Sequence, residues 1–115
     1  MKLSEAIRAG AKLRPQGFED FFTMTAKPKN DVDDSVFASC ALGAAYEAVE
    51  GRILPTLSGR SVIGLFQEKM GIDLNTCEFE HPFSYMPLFN TIVHLNDVHQ
   101  WTREKIADWV ESIGF

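Results

Sequence analysis

The chain is short of cations, short of cysteine and without any long apolar run. Eleven Lys and Arg stand against sixteen Asp and Glu, a formal charge of −5. It therefore lacks the basic field that drives non-specific binding to nucleic acid, unless a local patch opposes the total. Its two cysteines, Cys40 and Cys77, allow at most one disulfide. In a reducing compartment free thiols or metal ligation are the expected states. No stretch approaches the roughly 18 apolar residues that span a bilayer. The opening MKLSEAIRAGAKLRPQ has no apolar leader core. These absences together lead to the expectation of a cytoplasmic protein with no membrane association.

What remains is an ordinary globular composition, 45% hydrophobic and 23% charged over 115 residues. It suits a single domain, 1–115, with one core and no repeats. Helical spacing dominates. Ser4 suits the cap of a first helix running to about Leu13, with Leu3, Ile7 and Ala11 on one stripe and Pro15 and Gly17 beyond its end. FEDFFTMTA, from Phe18, is aromatic and ambiguous, and KPKNDVDD at 27–34 is a polar loop. Asp31, Asp33, Asp34 and Ser35 suit a helix N-terminus. They predict a second, central helix over SVFASCALGAAYEAVE, closed by Gly51. Its small residues, Gly43 and Ala44 among them, permit close approach of neighbours. A third helix is expected near Ser61–Met70, presenting Ile63, Phe66 and Met70. A fourth starts around Pro87, with Leu88, Ile92 and Leu95 on one face. In the last, Thr102 is the cap, Trp101 faces Ile106 across it, and Ile106, Trp109, Val110 and Ile113 form the buried stripe. Arg103, Lys105, Asp108 and Glu111 are read as its outer face. The expected fold is all-α, about five helices, with a short extended knuckle in IDLNTCEFEHPF before helix four.

All three histidines fall between His81 and His99, with Cys77 four residues upstream. The pattern Cys77-x3-His81-x12-His94-x4-His99 matches the gaps of a two-plus-two zinc knuckle, with histidine at the second ligand instead of cysteine. Thiolate and neutral imidazole both bind zinc tetrahedrally, so a structural zinc ion held by Cys77, His81, His94 and His99 is the expectation. Residues five apart lie about 140° apart around a regular helix. For His94 and His99 to converge, the intervening LND must end or tighten the helix. Tyr85 occupies the finger's aromatic position, whereas Thr91 stands where a finger has leucine.

The segments LSEAIRAGAKLRPQ, SCALGAAYEAV and HLNDVHQWTREKIADWVE resemble a group of small, uncharacterised bacterial and phage-associated proteins. Members of that group carry a CPxC-type pair before an HLNDxH segment. The resemblance implies that His94 and His99 correspond to the group's histidine pair, and Cys77 to one of its cysteines. This chain departs at the second cysteine, where CEFEHP offers His81. The resemblance implies no activity.

Other constellations are weaker. Cys40 with His94 and Asp97 has the elements of a cysteine nucleophile with its base and orienter, but Cys40 lies in an alanine-rich face where a cysteine is commonly a small buried hydrophobe. WTREKIADWV resembles the first helix of a helix-turn-helix, but the chain leaves no room after it for a recognition helix. GRSVIGLF lacks the lysine and hydroxyl of a phosphate loop. The reading is a small interaction or accessory module, acting on an unknown protein partner and carrying structural zinc, with no catalytic residue assigned. The alternatives are a hydrolase, metal-dependent or built on Cys40, and a nucleic-acid-binding knuckle, which the charge disfavours.

Overall fold

Leu3, Ala6, Ile7 and Gly10 recur at helical spacing, and that face is the buried side of α1 (Leu3–Ala11) in a computed structural model describing residues 1–31 and 33–115. Val32, inside the polar loop, lies outside the described residues. Ser4 is not the cap. It is fully buried in the first turn, and its N–H donates to the Phe115 carbonyl at 3.2 Å. Lys2 precedes the helix, and its N–H donates to Glu5 Oε1 at 3.0 Å.

The aromatic segment after α1 resolves into β1 (Phe22–Met24), which pairs antiparallel with β2 (Phe37–Ser39), Phe22 opposite Ser39 and Met24 opposite Phe37. The fold is thus mostly helical and not strictly all-α. The second helix begins six residues later than the acidic run suggests, as α2 (Ala41–Glu50). Val36 and Phe37 are side chains that favour a pleated surface. The cap is Cys40, whose Sγ accepts from the Gly43 N–H at 3.3 Å. Beyond α2 the expected elements appear as α3 (Gly59–Met70), α4 (Leu88–Asp97) and α5 (Arg103–Ser112). Ser58 caps α3, accepting from the Ser61 N–H, and Thr102 caps α5, accepting from the Lys105 N–H. No helix among the described residues is long and apolar enough to cross a membrane.

The core gathers Leu3, Ile7, Leu42, Phe66, Leu88, Ile92, Leu95, Ile106 and Val110, each fully buried. Helix α2 packs against α1, α4 and β2, and α1 packs also against α5. Arg8 secures that last contact from outside, with Asp108 at 2.7 Å and Glu111 at 2.8 Å. Arg14 and Glu47 form a bidentate pair, both contacts 2.7 Å, with only 8% and 9% of their side chains exposed. Such charge-assisted forks hold an orientation as well as contributing energy.

Two polar side chains on α4 and α5 enter the interior. Asn96, 1% exposed, accepts from the Ala41 N–H (3.1 Å) and Gln16 Nε2 (2.9 Å), and donates to the Gly17 carbonyl (3.0 Å) and Asp97 Oδ1 (2.8 Å). Arg103 is not on the outer face of its helix. It is 8% exposed and donates to Ser39 Oγ (2.9 Å), Ser39 O (3.3 Å), Arg14 O (2.7 Å) and Ala11 O (3.2 Å). The last two carbonyls stand at and just beyond the C-terminus of α1, the end of a helix dipole that favours a cation.

Small residues bring α1, α2 and the chain before β1 into close approach. A Cβ on Gly10 would stand 1.8 Å from the Ala44 carbonyl oxygen, and one on Gly43 2.1 Å from that of Phe21, whereas Gly64 of α3 faces open space. Backbone oxygens cannot swing aside. Gly10→Ala and Gly43→Ala are each expected to lower unfolding stability by about 1–3 kcal/mol or more through overpacking. Gly64→Ala should raise it by roughly 0.5–1 kcal/mol, by the ordinary helix preference. Urea denaturation of the three variants checks this. Equal, small effects at all three sites would mean that α1 and α2 do not pack as described.

Candidate functional site

The histidine stretch begins in the knuckle between α3 and α4. Its backbone is tied down by Leu88 N–H to Thr76 O (2.9 Å) and Phe89 N–H to Leu74 O (2.8 Å). Within it His81 Nε2 lies 3.0 Å from the Cys77 carbonyl. That nitrogen therefore donates, and Nδ1 is buried with no hydrogen-bond partner among the described residues. The His81 ring is sandwiched between Phe79, centroids 4.1 Å apart, and Tyr85 at 4.6 Å. The neighbouring Cys77 thiol raises the Tyr85 phenol above its ordinary pKa. Thr91 is a buried first-turn residue of α4, its hydroxyl donating to Pro87 O at 3.0 Å.

The other two histidines meet where α4 ends. The His94 carbonyl accepts from both the Val98 N–H (2.9 Å) and the His99 N–H (3.2 Å), so the last turn widens into an i+5 closure after Asp97. Gln100 then adopts a left-handed φ of 53°. This wrap closes the angle that a regular helix would impose and sets His94 Nε2 3.1 Å from His99 Nε2. Phe83, from the knuckle, stacks on His99 at 4.0 Å with rings 5° from parallel. Trp101 completes the aromatic shell, edge-on to Phe83 and with Lys105 Nζ 4.0 Å above its own ring.

Zinc–nitrogen bonds of about 2.0–2.1 Å in a tetrahedral site place neighbouring ligand atoms roughly 3.3–3.4 Å apart. The separation of the two imidazoles, 3.1 Å, is close to that, and Nδ1 of His81 has the right donor chemistry. The four expected ligands nevertheless stand as two pairs. Among the described residues no group of three or more His, Cys, Asp or Glu is gathered closely enough to hold a metal ion.

Cys40 belongs to a different place. It lines an open cavity of about 330 Å³ between the β2–α2 junction, the start of α3 and the outer face of α4, together with Asp97 and Phe89. No histidine lines this cavity among the described residues. The thiol is 7% exposed, and burial pushes it up to about 11 against the lowering effect of the Gly43 N–H; the Asp97 charge adds to the rise. A nucleophilic cysteine needs the opposite shift.

Cys40 and Asn96 were legible as residues but not in these roles. Cysteine is an uncommon cap, and an asparagine near a helix end reads as a stop signal. The placement of Phe83 and Trp101 around the histidines carries no sequence spacing that would announce it.

In folded protein at pH 8, iodoacetamide is expected to label the half-buried Cys77 and to reach Cys40 only as fast as the chain unfolds. Because folding raises the Cys40 pKa from an ordinary value near 9 to about 11, its stabilising contribution is complete below pH 9. It is lost as pH rises towards 11. The alkaline decline in melting temperature should therefore be shallower in Cys40→Ala. Labelling of Cys40 at the rate seen in urea would contradict this.

Comparison of the chain with protein-family models, with curated proteins and with solved structures finds no match, so its functional reading rests on its own geometry.

Proposed function

We propose that this chain is a small interaction or accessory module, without a catalytic centre, that carries a structural zinc ion on its histidine stretch. The observation that carries the reading is the His94–His99 pair. Two imidazole nitrogens 3.1 Å apart face each other at the end of α4, held there by a backbone wrap and by the stack with Phe83. That stack already joins the knuckle to the pair. Cys77 and His81 are the knuckle residues that would complete the ligand set, His81 through the lone pair of Nδ1. Bound zinc would supply no chemistry beyond cross-linking the knuckle to the helix end, which is the role of a closed four-ligand site. Hydrolysis at Cys40 is the weaker reading, since its thiol is used as a helix cap and its cavity is lined by no histidine among the described residues.

Protein expressed without a histidine tag in zinc-supplemented medium should purify with one zinc per chain. His94→Ala and His99→Ala should each lower zinc affinity by more than about tenfold, the scale on which even outer-shell partners act. Acidification should release the metal as the imidazoles protonate. His81→Ala separates a four-ligand from a two-histidine site, because only the former loses affinity. Metal-free wild-type protein whose melting temperature does not respond to added zinc would overturn the proposal. The pair would then be a simple N–H···N hydrogen bond.

A further inference from the structure

The cavity floored by Cys40 has walls and a rim of different character. Phe21 and Phe89, edge-to-face at 6.1 Å, and Val93 supply apolar wall. Glu19, Asp20 and Asp97 also line it, and no Lys, Arg or His does among the described residues. Glu19 and Asp20 make neither an ion pair nor a side-chain hydrogen bond among the described residues. Among the described residues the Asp97 side chain receives only the amide of Asn96, at 2.8 Å. Three carboxylates over a low-dielectric wall focus a negative potential into the space between them. No cationic side chain lines the cavity among the described residues to offset it, and burial holds the Cys40 thiol in its neutral form. The volume, about 330 Å³, lies at the small end of ligand pockets.

From this complementarity we infer that the cavity binds an organic cation, an ammonium or guanidinium carried on an apolar body. The body packs on Phe21, Phe89 and Val93, and the charge faces Glu19, Asp20 and Asp97. This site is separate from the histidine stretch, and the inference does not depend on zinc.

The probe is 2-phenylethylammonium, with 2-phenylethanol as its uncharged counterpart, each titrated into the full chain and followed by amide chemical shifts. The ammonium should shift Cys40, Phe89 and Asp97 and bind at least about tenfold more tightly than the alcohol. The preference should shrink at high salt, as expected of exposed charges. Glu19→Gln combined with Asp20→Asn, both solvent-exposed and unpaired, should weaken ammonium binding roughly fivefold to tenfold, the worth of two surface ion pairs. Alcohol binding should stay unchanged, which also reports that the cavity is intact. A short arginine-containing peptide distinguishes the source. Tighter binding than the free amine with the same shifts assigns the site to a partner's side chain, and weaker binding assigns it to a small molecule. Equal affinity for amine and alcohol, or no shifts at Cys40, Phe89 and Asp97 with any of the three, would overturn the inference.

Discussion

The junction between β2 and α2 is the point on which the rest of the structure hangs, and it is held by buried hydrogen bonds. Within three residues the chain changes from strand to helix and exposes backbone groups that neither element can satisfy. The Ser39 N–H donates to the Pro15 carbonyl and the Ser39 carbonyl accepts from the Gly17 N–H, both at 2.9 Å; the Cys40 N–H donates to the Phe21 carbonyl at 3.1 Å, and the Ala41 N–H to Asn96 Oδ1. Arg103 covers Ser39 from α5. A buried donor or acceptor left unpaired costs about 1–3 kcal/mol, so this knot strongly favours one arrangement of α1, α2, α4 and α5.

That knot also sets both places where a ligand is proposed. Asn96 lies between the two histidines that meet at the end of α4, so anchoring its side chain inward turns His94 and His99 outward on the wrap that follows. Its neighbour Asp97, one turn beyond Val93 and two beyond Phe89, lines the cavity with Cys40. Buried, satisfied polar networks can specify a unique packing where apolar contacts alone leave alternatives. Here one asparagine links the interior with two surface sites, and the close approach at Gly10 and Gly43 lets the helices come near enough for its hydrogen bonds to form.

The helices were largely legible. Leu88, Ile92 and Leu95, or Ile106 and Val110, repeat at helical spacing, and Thr102 and Gly51 are standard caps whose chemistry is local. What was not legible depends on tertiary contacts. Phe37–Ser39 could join a helix or a strand, and only pairing with Phe22–Met24 decides it. Arg103 reads as a surface residue because nothing nearby in sequence reveals the carbonyls of Ala11 and Arg14 waiting for it. The histidine spacing singled out a stretch in which His94 and His99 meet, and the end of α4 at LND was readable from Asn96 and Asp97. The aromatic packing that separates Cys77 and His81 from the other pair is set by Phe79, Phe83 and Tyr85, whose rings follow no repeat.

Native-state hydrogen exchange of the Gly17, Ser39, Cys40 and Ala41 amides tests the central claim most directly. If this junction holds the fold together, all four should exchange only through global unfolding, with the same protection as the core of α2 and the same dependence on denaturant. Fast, independent exchange of these amides while α1, α2 and α5 remain protected would show that the helices pack without the knot and would contradict the account.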